Sequence, residues 1–408
     1  MRARLILVVP VFPKLSETFI VLKAVGLLEA GWDVHVVCQR REEEEWQRFP
    51  DAIRAALQRR VHVTWPVKPR LLSAVLLPAA IGGCAIHSPA STARYLWRGR
   101  RRLGLDALRR AYLDAKVLNL SPDIVHFEFG TLAVGKTYLK ELLACRLSVS
   151  FRGFDLNFAG LEEPRYYEEV FREADLIHCL GQDLWRRAVR RGCPADKEHV
   201  LIPPAIDVAL FDPAERVAAG VVGTPDRPLR ILSVGRLEWK KGHEDALEAV
   251  RRLRNAGISL EYRIIGEGKY RDAIAYARHE MGLEDSVSLL GPLPPTAVKS
   301  EMLWAEVFLH AAVSEGFCNA VIEAQAMQLP VVCTDADGLP ENVDDGVTGF
   351  VVPRRDPEAL ARGVSRLALD PSLRERMGRA GRRRVLERFR IGDQIAAFDR
   401  AYARLLRA

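Results

Sequence analysis

The run SEGFCNAVIE, Ser314 to Glu323, sets two carboxylates, Glu315 and Glu323, on either side of a glycine turn and an expected helix start. Ionised carboxylates accept hydrogen bonds from hydroxyl groups, and the free N–H groups of a helix start bind phosphate. Upstream, Glu306 to Ala312 (EVFLHAA) reads as a short buried strand, and AVIEAQAM from Ala320 is helix-forming sequence. Glu315 then falls in the loop at the strand's carboxyl end and Glu323 about a turn into the helix. The amides of Phe317, Cys318 and Asn319 face the gap between them. This grouping suits a ligand carrying both hydroxyls and phosphate. By itself it also fits an ordinary strand, turn and helix with surface glutamates.

Other polar clusters also fall at expected strand ends. Gly235 to Gly242 (GRLEWKKG) carries Arg236 and Lys241, fixed cations able to neutralise a departing diphosphate, or else a solvated basic loop. Gly266, in the GEG after YRII, allows close backbone approach to a ligand or makes a plain turn. Leu293, in LLGPL, lies in a loop that can hold a base. Asp335-Ala336-Asp337 has the form of a divalent-ion site, but Arg236 and Lys241 already offer positive charge, so no metal is expected. Asp344 to Gly349 reads as a hairpin-like turn. Near the amino terminus, Ser16 and Thr18 in PKLSETF sit at a helix start, as caps or as phosphate or acceptor contacts. Arg152, in FRGFD, can meet a diphosphate or sugar, or pair with Asp155. His126 reads as a satisfied histidine at a strand end rather than a catalytic one.

These clusters need scaffolding, and the 408 residues supply it as alternating apolar strands and helices. The expectation is α/β: two doubly wound, Rossmann-like domains facing a central cleft. They cover residues 1–205 (acceptor side) and 206–382 (nucleotide side), and a helix over 383–408 returns to the first. Seven cysteines without a CxxC pair argue against a disulfide framework or thiolate zinc site and for a reduced, cytoplasmic compartment. Leu71 to Ile86 is the best apolar run, but Pro78 and Gly82-Gly83 interrupt it and no span is expected. The net charge of +7 admits nucleic acid, anionic lipid or a phosphorylated substrate. Arg94 to Arg110, with Trp97 and Leu105 among its arginines, is either an interfacial patch for an anionic membrane or a solvated helix face.

In order, GRLEWKKG, IIGEG, LLGPL, SEGFCNAVIEA and GLPENVDDGVTGFVV resemble the C-terminal domain of family 4 retaining glycosyltransferases of the GT-B fold. FPKLSETF and DIVHFEFG are similar to the bacterial exopolysaccharide branch, of colanic-acid type. The resemblance implies that Arg236 and Lys241 hold the diphosphate and Glu323 the ribose hydroxyls. Glu315 and the amides of Phe317 to Asn319 would take the sugar and phosphate. It also implies front-face transfer with retention, no metal and no cofactor beyond the donor, with the donor phosphate taking the acceptor proton. Two departures stand out: KLSET replaces a glycine-rich loop, and Arg152 stands where many relatives have His, a permanent charge in place of a neutral ring. The resulting expectation is a cytoplasmic transferase, peripheral at the inner membrane face, that moves a sugar from a UDP-linked donor to a glycan or polyprenyl-diphosphate-linked acceptor. The alternatives are a GT-B-like UDP-sugar epimerase or hydrolase and, from charge alone, a nucleic-acid-binding protein; no nucleic-acid motif supports the latter.

Overall fold

Val-, Ile- and Leu-rich runs that are buried on both faces form parallel strands, and the segments between them fold as helices that cover the sheets. A computed structural model describes residues 3–14, 17–66, 70–214 and 220–407, with only the backbone described at 70–74. The chain divides into two compact units, the first made of Met1–Leu180, Leu184–Ile202 and Gln394–Ala408, the second of Gly181–Asp183 and Pro203–Asp393.

In the first unit the strands are β1 (Arg4–Phe12), β2 (Asp33–Arg41), β3 (Val61–Val63), β4 (Ile124–Phe127), β5 (Arg146–Phe151), β6 (Leu176–Cys179) and β7 (His199–Leu201). They form one parallel sheet in the order β3-β2-β1-β4-β5-β6-β7. The second unit has β8 (Leu229–Val234), β9 (Leu260–Ile265), β10 (Val287–Gly291), β11 (Val307–His310), β12 (Val331–Thr334) and β13 (Gly349–Val352). These are also parallel, in the order β10-β9-β8-β11-β12-β13. Strand order reverses between β1 and β4 in one sheet and between β8 and β11 in the other. In such sheets the loops leaving the carboxyl ends at the reversal splay apart and leave a crevice for a ligand. Both units are therefore doubly wound, as the alternation predicts.

Three local expectations need correction. The tail from residue 383 is not one helix: Pro371–Arg388 ends, and Ile391–Arg407 begins a new one. At the break the Ile206 N–H donates to the Phe389 carbonyl at 3.0 Å, and the Phe389 ring packs edge-on against Phe317 at 5.9 Å. Pro78 does not interrupt its helix, which runs from Arg70 to His87; the carbonyl left without an N–H partner by a proline can be tolerated where water reaches it. The Asp344 to Gly349 turn makes no hairpin, because β13 runs parallel to β12. It is instead closed by the Thr348 N–H to the Asp344 carbonyl and the Asp344 N–H to the Thr348 hydroxyl, at 2.8 and 2.9 Å.

Candidate active site

The loop after β8 turns at Gly235, passes Arg236, and makes a 3₁₀ turn over Trp239–Lys241 before the helix His243–Asn255. Gly242 closes that turn at φ +62°, and a Cβ there would fall 2.0 Å from the Ala311 carbonyl oxygen. Only glycine permits this approach, which docks the β8 loop against the chain leaving β11. The Val313 N–H seals the contact by donating to the Lys240 carbonyl at 2.8 Å. As a result the Lys241 ammonium meets the Glu315 carboxylate as a close ion pair, with side chains only 10% and 15% exposed. The His310 Nε2 stands 3.4 Å from the same carboxylate. Burial alone would raise the Glu315 carboxyl, but Lys241 and His310 overcome it and hold it at about 2. Burial would lower His310, but Cys318 and Glu315 push it up to about 9. Lys241 is likewise raised by Glu315 against the effect of burial. Arg236 lies farther out and pairs with Glu238 at 3.0 Å.

Glu323 lies one turn into the helix Asn319–Ala326, half-buried, and nothing among the described residues hydrogen-bonds its carboxyl. Burial pushes its pKa up to about 7. Of the three amides expected to face a ligand, that of Cys318 is already used. Asn342 clasps the Cys318 backbone, its Oδ1 accepting from the amide at 3.3 Å and its Nδ2 donating to the carbonyl at 3.1 Å. Asn342 thereby sets the helix start and leaves the amides of Phe317 and Asn319 for a ligand. Gly266, at φ +142°, approaches backbone: a Cβ would fall 1.8 Å from the Gly235 carbonyl oxygen. Leu293 is half-buried against the core beside β10. The DxD carboxylates serve the loop. Asp337 accepts from the Ser314 hydroxyl at 2.5 Å, the Glu315 amide at 3.2 Å and Arg354, while Arg354 also holds Asp335. Sequence reasoning missed His310, Asn342 and Arg354, and weighed Asp337 only as a metal ligand. The first of these had a signal, a histidine at the carboxyl end of a strand beside the reversal.

In the first unit, Thr18 opens the helix Thr18–Glu29 after β1, while Ser16 lies outside the described residues. The residue before the helix is Glu17, whose side chain makes no capping bond. Arg152 does not pair with Asp155 through its guanidinium. It donates to the Glu128 carboxylate at 2.9 Å and the Glu128 carbonyl at 3.0 Å, and lies 4.1 Å above the Phe19 ring. Asp155 instead accepts from the backbone amides of Arg152 and Thr131. Glu128, absent from the sequence reading, is fully buried and also binds Lys23 at 2.7 Å. Burial would raise its pKa, and the two cations overcome this and lower it. From there a polar chain crosses the sheet: Lys23 meets His126 at 3.1 Å, His126 meets Ser148 and Ser150 at 2.8 Å each, and Ser150 meets His178 at 2.7 Å. His126 is thus a satisfied core histidine. The carboxy-terminal helix covers this chain, with Phe398 lying 3.9 Å from the Lys23 ammonium.

The Arg94 to Arg110 segment divides by role. Arg94 and Arg98 donate to the Leu143 and Glu141 carbonyls, Arg102 pairs with the Glu141 carboxylate, and Arg110 pairs with Asp106. Those four are engaged by neighbouring groups. Arg100 and Arg101 remain exposed beside Trp97 (60% exposed) and Leu105 (94%). No acidic residue stands between Asp51 and Asp106, so no carboxylate within that stretch offsets its cations. Among the described residues no helix is long and apolar enough to cross a membrane, and all seven cysteines are free and buried.

The profile of the family described as "Glycosyl transferases group 1" matches residues 218–384, which carry Arg236, Lys241, Glu315 and Glu323. The amylovoran biosynthesis glycosyltransferase AmsK of Erwinia amylovora is 30% identical over 88% of this chain and 88% of its own. A protein of Salmonella typhimurium, WcaL, whose name places it in colanic acid biosynthesis, is 28% identical over 95% and 97%. The fold is similar to that of a sucrose-phosphate synthase from Thermosynechococcus elongatus (TM-score 0.73, 18% identity, 99% of both chains). It is also similar to Anabaena HepE in complex with UDP and glucose (0.71, 14%, 98% and 100%). The two doubly wound domains are those of the GT-B fold, and the chain belongs to the group 1 glycosyltransferases.

Proposed function

We propose that this protein is a metal-independent, retaining hexosyltransferase of exopolysaccharide synthesis that uses a UDP-linked sugar. The observation that carries the reading is the reversal between β8 and β11. There the Lys241–Glu315 pair, the unpartnered Glu323 and the amides of Phe317 and Asn319 lie on the two loops that a nucleotide crevice requires. Arg236 and Lys241 take the diphosphate, and Glu323 accepts from the ribose hydroxyls. Glu315 orients the sugar, and Leu293 and the Gly266 turn border the base. The names of AmsK and WcaL support a polysaccharide product, and the UDP of HepE supports the base.

In the reaction, the bond from the sugar's anomeric carbon to the phosphate oxygen breaks. An acceptor hydroxyl oxygen bonds to the same face of that carbon, and its proton passes to the departing phosphate. Lys241 and Arg236 are preset toward the charge that grows on the diphosphate, so stabilising it requires little reorganisation. Thr18 and Arg152 are assigned to acceptor or sugar contacts. The acceptor is a glycan carried on a polyprenyl diphosphate, met at the cytoplasmic face of the membrane. Arg100 and Arg101 with Trp97 and Leu105 form the adsorbing patch for anionic lipid.

A nucleotide-sugar panel tests this reading. UDP-sugars should raise the melting temperature and be consumed when acceptor is present, with a chelator leaving turnover unchanged. Stabilisation by GDP-sugars alone would reject the base assignment, and loss of turnover in chelator would reject metal independence.

A further inference from the structure

Behind the Lys241–Glu315 pair lies a second set of donors. His310, Glu315 and Cys318 each present a ligand atom, and these atoms all lie within 4.8 Å of one another. His310 and Cys318 are 4% exposed. The His310 Nε2 is buried and makes no well-directed hydrogen bond, with Glu315 Oε2 3.4 Å away. A buried imidazole nitrogen that makes no well-directed hydrogen bond leaves a position that a metal ion can take. Nitrogen, thiolate sulfur and carboxylate oxygen form a mixed set suited to Zn²⁺, which takes three protein ligands and keeps a fourth position open. Zn²⁺ bonds to such atoms are about 2.0–2.3 Å long.

We propose that His310, Glu315 and Cys318 form a site for a thiophilic divalent cation of the Zn²⁺ class, and that its occupancy antagonises binding of the nucleotide-sugar donor. The antagonism rests on the assignment of Glu315 to the sugar. An ion that takes this carboxylate removes it from Lys241 and from the sugar together. The ion is therefore not a participant in transfer but a competitor at the donor's sugar end. Asp335 and Asp337, engaged by Arg354 and Ser314, are not its ligands.

The test is titration of the purified full chain with Co²⁺, whose thiolate complexes absorb by sulfur-to-metal charge transfer. A saturable one-to-one band that Zn²⁺ displaces is expected. It should vanish in Cys318→Ser, or in Cys318→Ala if the serine variant misfolds, and weaken in His310→Ala. Calorimetry with UDP-glucose should then show weaker binding once one equivalent of Zn²⁺ is present. No band in the wild type, or a band that survives both Cys318 substitutions, overturns the site. Unchanged UDP-glucose binding at full metal occupancy overturns the antagonism. Failure of metal-free protein to bind any UDP-sugar would instead count against the transferase reading and leave the cobalt result standing.

Discussion

At the scale of single residues, the two carboxylates of SEGFCNAVIE behave oppositely because of what lies beside them. Glu315 shares its surroundings with Lys241 and His310 and stays ionised, at about 2. Glu323 has no such partner and is raised to about 7. In the proposed ribose contact the ionised carboxylate is the stronger acceptor, so binding favours the deprotonated form. Affinity for a UDP-sugar should therefore rise as pH increases from 6 to 8, and Glu323→Gln should bind more weakly with a flat profile. Calorimetry at several pH values checks this, and a wild-type profile without slope would remove Glu323 from the ribose. Lys241→Ala should lower kcat/KM by about 10²–10³-fold, the usual loss when one preset electrostatic group is removed from a developing charge. Steady-state kinetics with the natural acceptor would measure it.

At the scale of elements, strand runs and their order in the chain were readable, because continuous β-branched stretches bounded by glycine have few other folds available. EVFLHAA followed by SEGFCNAVIE was readable as strand, turn and helix for the same reason. What composition did not show were contacts made across distant sequence. The clasp of Asn342 on Cys318, the link from Glu128 to Arg152 and the break at Phe389 each depend on a partner supplied by another element. Gly266 was legible as a close approach, but the structure shows a backbone carbonyl as what it approaches. Gly266→Ala should accordingly destabilise the second unit by about 1–3 kcal/mol from backbone conformation alone, with the clash adding to this. A urea melt followed by tryptophan fluorescence would show it as a lower midpoint. In the first unit, Lys23→Met strips one partner from buried Glu128 and should cost about 3–5 kcal/mol. A midpoint within error of wild type would mean that Arg152 alone satisfies that carboxylate.

At the scale of the whole molecule, the net charge of +7 is unevenly spread, and the acid-free stretch between Asp51 and Asp106 carries much of the excess. Only some of the arginines there and just beyond can meet a partner, because Arg94, Arg98, Arg102 and Arg110 are already engaged within the protein. Arg100→Gln with Arg101→Gln should reduce sedimentation with phosphatidylserine vesicles, roughly thirtyfold in affinity at about 1 kcal/mol per charge, and leave the fold intact. Equal sedimentation of wild type and variant would leave the patch a solvated helix face. The central claim, that the β8–β11 reversal holds a nucleotide sugar, is tested most directly by calorimetric titration of UDP into wild type, Lys241→Ala and Glu323→Gln. The account predicts saturable one-to-one binding in the wild type and at least tenfold weaker binding in each variant, about 1.4 kcal/mol or more apiece. Equal affinity in all three folded proteins would contradict it.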